Sequence, residues 1–497
     1  MQNLLTSAQL KMADVFTIQK QSISSVELME RAALAFVETF SEAFFERKNH
    51  IAILCGQGNN GGDGLAIARL LTQGGYMRVK VYLINFSTKQ SEDYTKNLER
   101  LTKRKINPIP ISKAEELNEL KADIVIDAVL GSGLNQPLAG EYAALADIIN
   151  RLSQKVISVD VPTGMPPEGE LPEVYNGIKA DLVICFQQPK LNFFFPESVK
   201  ALTKFKVVDI GLDEGFIANQ QSDWKLTTES DIQNRIKPRA NFSHKGTYGH
   251  ALLVAGNYTT MGAALLAASA CLHVGAGLTT VCLPQSGLIA LNTALPEVMA
   301  LPRNEQLAIE AFEKFNAIAI GPGMGLEEEN EMLLARLIEL KKPLIVDADA
   351  LTILSKRKEL FDALPPQSIL TPHVKEFDRL FGLHQNWWQR IKTAQKEAKQ
   401  RSLVIILKNQ YTFICLPNGE VHVNPTGNPA MASGGMGDVL TGLIVGLAAQ
   451  SYTAANAAIL AVYLHGQAGD ELAKTRFTVN ASALALQIPK TIQKILD

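Results

Sequence analysis

Short apolar runs alternate along this chain with stretches of helical periodicity. HIAILCG, VKVYLINF, ADIVIDAVLG, QKVISVDVP, ADLVICF and FKVVDIGL read as strands. Each is too apolar for a strand with one wet face, so helices should cover both faces, as in a parallel sheet. Residues 1–50 carry a helical period, as in SSVELMERAALAFVETFSEAFF. After Leu212 the pattern lapses into the polar DEGFIANQQSDWKL, where a linker is expected. A second alternating series follows: GHALLVAGN, LTTVCLP, NAIAIGPG, KPLIVDAD, SILTPH and LVIILKN. YTFICLPNGEVHVN reads as a hairpin around a Pro-Asn-Gly turn. The expected organisation is two α/β domains, 1–212 and 227–497, joined by a linker at 213–226. No internal repeat relates the halves.

Composition narrows the classes. The 497 residues are 46% apolar and 20% charged, enough for two or three globular domains. Lys+Arg number 48 against 50 Asp+Glu, a net charge of −2, which argues against a dedicated nucleic-acid binder. Cys55, Cys185, Cys271, Cys282 and Cys415 are odd in number and scattered, and read as buried free thiols in a reducing compartment. The first residues lack the apolar core of a signal peptide. Val439 to Leu464 holds no charge, but Gly442, Gly446, Gln450, Ser451, Thr453 and Asn456 interrupt it. Two buried helices joined at 450–453 are expected there, not a membrane span. A cytoplasmic chain without nucleic-acid or membrane partners is the expectation.

CGQGNNGGDGLAIARLL follows a strand and opens a helix, and Gly56, Gly58 and Gly61 satisfy GxGxxG. An ordinary dinucleotide site wants an acidic residue at the end of the next strand. That strand ends in Asn85 and Phe86. The loop carries its own polar groups, Asn59, Asn60 and Asp63; Asp63 as a plain helix cap is the bland alternative. Asp127, Asp160 and Thr163 also follow strands, so a parallel sheet gathers all three loops on one rim. Asn60, Asp127 and Thr163 are hard oxygen donors suited to a monovalent cation or a weak Mg²⁺ site. No His or Cys joins them, so a transition metal is not expected.

In NPTGNPAMASGGMGDVLTGLIVGL, Gly434, Gly435 and Gly437 precede Asp438 at the mouth of an apolar helix. Backbone N–H groups with a helix dipole behind them make an anion hole. A carboxylate there can take a proton from a hydroxyl that approaches a phosphate. The alternative is a helix cap on a tight turn. Lys408 ends the strand LVIILK, and IVDADAL puts Asp347 and Asp349 at a strand end, either for Mg²⁺ through water or as a solvated turn.

GNNGGDG, DAVLGSG and DVPTG, in that order, resemble the epimerase module of the bifunctional NAD(P)H-hydrate repair enzymes. SHKGTYGHALLVAGN, PEVM, GPGMG, TPHVKEF and the Gly-Asp loop resemble that family's dehydratase module. The resemblance implies an N-terminal Rossmann-like three-layer α/β/α domain and a C-terminal ribokinase-like α/β domain. It implies potassium on Asn60, Asp127 and Thr163, and Asp160 as the reacting group. Substrate would lie along Asn59, Asn60, Gly61, Gly62 and Asp63, and along Gly131, Ser132, Gly133, Leu134, Asn135, Gln136 and Pro137. In the second half it implies substrate contacts from Gly262, Gly323, Gly325, His373 and Asp438, with Asp438 as base. The nucleotide would lie on Lys408, Asn409, Gln410, Tyr411 and Thr412, and on Gly434, Gly435, Met436 and Gly437. Implied ligands are NADHX, NADPHX and ADP or ATP with Mg²⁺, and the implied assembly is a homo-oligomer. Arg31, Ala33, Ser132, Thr163 and Asn257 depart from the family's usual residues. A small-molecule kinase with a stable phosphorylated product, and a nucleotide-binding scaffold without turnover, are the rival readings.

Overall fold

The computed structural model describes residues 2–133, 136–303 and 308–497. The chain divides into two compact units, Asn3–Ser222 and, in the main, Asp223–Gln385 with Gln389–Asp497.

In the first unit the strands are β1 (Ile51–Cys55), β2 (Val79–Ile84), β3 (Ile109–Ile111), β4 (Ile124–Ala128), β5 (Lys155–Val159), β6 (Leu182–Phe186) and β7 (Phe205–Val208). They pair in the order β3-β2-β1-β4-β5-β6-β7, every pair parallel. Side chains alternate between the faces. Ile51, Ile53 and Cys55 join one core with Phe36 and Phe40, whereas Ala52 and Leu54 join another with Leu145 and Ile149. Two apolar faces need two helix layers, which is why the inner strands β1, β4, β5 and β6 read as unbroken apolar runs. Contrary to the expectation of cover on both faces, β7, at the sheet edge, exposes Lys206 and Val207.

The second unit contains β8 (Trp224–Leu226), β9 (His250–Val254), β10 (Leu278–Leu283), β11 (Met299–Pro302), β12 (Ala317–Ile320), β13 (Leu344–Val346), β14 (Ile369–Leu370), β15 (Val404–Leu407), β16 (Phe413–Cys415) and β17 (Val421–Val423). Their order is β8-β17-β16-β15-β14-β13-β12-β9-β10-β11. Only the β15–β16 and β16–β17 pairs are antiparallel among those described; the second is the hairpin of YTFICLPNGEVHVN. The charge-free stretch forms two helices, Met436–Ala449 and Ala454–Ala473, buried in one core. No helix among the described residues is long and apolar enough to cross a membrane. The stretch 213–226, expected as an irregular linker, contains the helix Glu214–Asn219 and strand β8. All five cysteines are buried and free.

Candidate functional sites

In the first unit, the loops after β1, β4 and β5 leave neighbouring parallel strands at the same rim. The loop after β1 lies against the loop after β4: a Cβ on Gly56 would sit 1.9 Å from the Val129 carbonyl oxygen. The loop is also folded on itself, since a Cβ on Gly61 would meet the Gly56 carbonyl at 1.6 Å. Side chains do not fit there, so the glycines are required by packing. The helix Asn59–Gln73 starts from Gly58 without a side-chain cap, so Asp63 is not the cap that the bland reading wanted. Asn59 is exposed and Asn60 is buried. A Cβ on Gly131 would sit 3.2 Å from Asn60 Cβ, which brings the second loop to the first.

Asp127 joins the other pair of loops. Its Oδ2 accepts from Ser158 Oγ at 2.8 Å and Thr163 N at 2.9 Å, and its Oδ1 from Thr163 Oγ1 at 2.7 Å. Thr163 Oγ1 in turn accepts from Leu130 N at 2.9 Å. Burial raises the Asp127 carboxyl, against the hydrogen bonds of Thr163, Ser158 and Val129. No basic side chain among the described residues pairs with it.

Asp160 stands just past β5 at φ 65°, a left-handed conformation uncommon outside glycine. Its Oδ1 accepts from Phe186 N at 3.0 Å and lies 2.8 Å from Lys190 Nζ. Lys190 is buried; burial alone would lower its ammonium, but Asp160 and Cys185 outweigh that and the net shift is upward. Two further carboxylates feel this pair. Burial, then Asp160, push Asp14 up to about 6, opposed by Lys190 and Lys11. Burial, Asp160, Asp14 and Asp93 raise Asp63 well above the usual range. Lys11 Nζ lies 3.8 Å from where a Cβ on Gly133 would be, so the helix Ser7–Gln21 borders the second loop. Ser132, Gly133, Gln136 and Pro137 form an irregular, partly to fully exposed segment, whereas Leu134 and Asn135 lie outside the described residues. Sequence reasoning missed Lys190, Asp14 and Lys11. Lys190 was within reach of the rim argument, since it follows β6.

In the second unit, β9, β12, β13, β14 and β15 are parallel neighbours whose ends supply a second rim. The helix Met436–Ala449 opens at Gly435, φ 88°, with no side-chain cap, so its first N–H groups are open to an anion. Asp438 is the third residue of that helix and does not cap it. Burial, then Asp347, push its carboxyl up to about 6, with Lys408 opposing and Asp349 adding. Lys408 Nζ lies 2.9 Å from Asp347 Oδ1, and Thr441 Oγ1 donates to Asp347 Oδ2 at 2.7 Å. Asp347 is 1% exposed, so it is not a solvated turn. Asp349 Oδ2 accepts from Gly325 N at 2.9 Å.

His373 caps the helix Val374–Phe381: its Nδ1 accepts from Lys375 N and Glu376 N, so a neutral ring carries its proton on Nε2. Burial, with Lys408 and Arg379, lowers its ring against the pull of Glu376. Gly262 lies in the first turn of Met261–His273, and a Cβ on Gly323 would come within 3.0 Å of Thr260 and Ala263 beside it. A cavity of about 390 Å³ is lined by Lys408, Asn409, Gln410, Thr412, Met436 and Gly437, and by His465 and Thr426, which sequence reasoning missed. Tyr411, Gly434 and Gly435 do not line it.

The family model described as YjeF-related protein N-terminus matches residues 25–192, and that described as NAD(P)H-hydrate dehydratase matches 251–494. This chain belongs to the bifunctional NAD(P)H-hydrate repair enzyme family. The bifunctional NAD(P)H-hydrate repair enzyme of Moorella thermoacetica is 34% identical over 95% of this chain and 93% of its own length. That of Thermofilum pendens is 33% identical over 99% and 96%. The second unit resembles the ADP/ATP-dependent NAD(P)H-hydrate dehydratase of Bacillus subtilis, crystallised with ATP/Mg²⁺, at 34% identity and TM-score 0.50, covering 55% of this chain and 98% of that one. A ribokinase-like protein of Enterococcus faecalis matches at 30% identity and TM-score 0.52, covering 56% of this chain and 98% of that one. The two-domain α/β fold expected from the sequence, with its ribokinase-like second half, stands.

Proposed function

We propose that this chain repairs hydrated nicotinamide nucleotides, NADHX and NADPHX. The first unit interconverts their R and S epimers, and the second converts the S form to NAD(P)H with ADP or ATP. The observation that carries the reading is Asp438, a carboxyl raised to about 6 on the first turn of an uncapped helix mouth beside Lys408. There it takes the proton of the ring C6 hydroxyl while the hydroxyl oxygen bonds to the terminal phosphorus of the nucleotide and the shorter nucleotide leaves. The ring nitrogen lone pair then expels phosphate, and loss of a ring proton restores the dihydropyridine. His373 and the Gly323–Gly325 turn hold the substrate, and the cavity next to Lys408 takes the nucleotide.

In the first unit, the Asp160–Lys190 pair handles the proton of the same hydroxyl without a nucleotide, and the Gly-rich loops carry the substrate phosphates. The residues there fit a potassium ion. Asp127 is buried without a cationic partner, and the buried Asn60 Nδ2 donates to nothing in the protein, so its amide is free to present oxygen instead. Asn60, Asp127 and Thr163 would hold the ion, which would supply positive charge near the substrate phosphates. In the second unit both oxygens of Asp347 are engaged, by Lys408 and Thr441, whereas Asp349 accepts from Gly325 N on Oδ2 alone. Mg²⁺ would arrive on the nucleotide phosphates with its own waters. A homo-oligomer in a reducing cytoplasm completes the reading, the compartment supported by the five buried free thiols.

The test uses the full chain with hydrated NADH. Without nucleotide the two epimers should interconvert; with ADP the absorbance of reduced nicotinamide should appear. A stable phosphorylated product would favour the kinase reading, and binding without turnover the scaffold.

A further inference from the structure

We propose that Asp347 is a positioning residue of the dehydration site: it fixes the Lys408 ammonium over the helix mouth and sets the basicity of Asp438. This rests on the assignment of Asp438 as the base. The geometry is built around this one side chain. Oδ1 is paired with Lys408 at 2.9 Å and Oδ2 accepts from Thr441 at 2.7 Å. Thr441 stands three residues after Asp438 on one helix, so the two share a face and Asp347 is tied to the helix that carries the base. A Cβ on Gly437 would be 3.4 Å from Lys408 Nζ and 3.8 Å from Asp347 Oδ2, so the pair lies against the first helical turn.

The backbone is bent to put it there. Ala348, the next residue, sits at φ 49°, strained for an alanine, and turns the chain from strand into helix at once. On the other side, a Cβ on Gly321 would meet the Asp347 carbonyl oxygen at 1.8 Å, so only glycine admits this approach. Strain on one side and a forced glycine on the other mark a position held for function. A dyad of this kind gives Lys408 one orientation before the nucleotide arrives, and keeps a second negative charge beside the base. The charged groups that act on Asp438 come from two strand ends of the rim, Asp347 and Asp349 after β13 and Lys408 after β15. His373, with Glu376 beside it, follows β14 and faces Lys408 and Asp347. His465, on the helix Ala454–Ala473, faces Lys408; burial lowers its ring to about 4, and its Nε2 donates to the Met436 carbonyl at 3.0 Å.

The experiment compares full-length wild type, Asp347→Asn and Asp438→Asn in nucleotide-dependent dehydration across pH. Asp438→Asn should be inactive; if it is not, the assignment of the base fails and Asp347 with it. With Asp438→Asn inactive, Asp347→Asn should move the acidic limb of the rate profile down by about one pH unit, because a like charge has gone. It should also lower the plateau, because the base is weaker. A double-mutant cycle of Asp347→Asn with Lys408→Met at saturating nucleotide should be non-additive by about tenfold. Asp347→Ser, which removes the charge without setting an amide against Lys408, serves if the Asn variant does not fold. A lowered plateau with an unmoved acidic limb and additive effects would make Asp347 merely structural and overturn the proposal.

Discussion

Each unit pairs a lysine with an aspartate, a buried Lys190 in the first and a part-exposed Lys408 in the second, and the two pairs stand differently to the chemistry. In the first, Lys190 lies 2.8 Å from Asp160, the carboxylate proposed to react. In the second, Lys408 lies 2.9 Å from Asp347, while Asp438 has no ion-pair partner among the described residues and rises to about 6. The difference follows the two tasks. A group that works in both directions on one hydroxyl is served by a donor and an acceptor side by side. A base for phosphoryl transfer needs an unshared lone pair near the operating pH, with the cation moved to one side.

The most forceful way to break the contrast is Asp438→Asn, which should cut nucleotide-dependent dehydration by about 10²–10⁴-fold. Epimer interconversion in the same sample should stay as in wild type. Next comes Lys190→Met, which leaves Asp160 half-buried without its partner. Epimerisation should fall about a hundredfold, and the first unit should lose about 3–5 kcal/mol, read by denaturant unfolding. Asp127→Asn should be milder. It weakens one hub of loop hydrogen bonds, costs about 1–3 kcal/mol, and impairs epimerisation while dehydration stays near wild type. Replacing potassium by sodium, or removing it, should weaken the same half alone.

The smallest effect is in pH. Asp438 is a base only when deprotonated, and its carboxyl is raised to about 6. Dehydration should therefore fall about tenfold per unit below pH 6, where an ordinary aspartate would hold its activity down to about pH 4. A limb at the ordinary carboxylate position would remove the stated reason for leaving Asp438 unpaired.

The contrast between the sites was only half legible in the sequence. The long strands were clear because burial on both faces leaves unbroken apolar runs. Ile109–Ile111, Met299–Pro302 and Trp224–Leu226 were not: three or four residues, two of them containing proline, carry no period to read. The glycine loops announced both rims, because close backbone approaches demand residues without a Cβ. The lysines' partners were hidden. Lys408 and Asp347 are 61 positions apart and meet only through the sheet order. Without that pairing, the Asp347–Asp349 motif read as a water-mediated Mg²⁺ site or a wet turn. Lys190 carries no motif at all, and Asp14 lies on a helix far from the loops in sequence.

Two active sites that work independently on one chain should separate in a paired assay. Full-length Asp160→Asn and Asp438→Asn are each given a mixture of hydrated NADH epimers, and both epimers and NADH are followed with and without ADP. Asn tolerates the left-handed backbone at 160, so the first substitution keeps the turn. The account predicts that Asp160→Asn consumes the S form with ADP and leaves the R form standing. Asp438→Asn should equilibrate the two epimers and make no NADH. If either variant loses both reactions, or if Asp438→Asn still yields NADH at a rate near wild type, the account is contradicted.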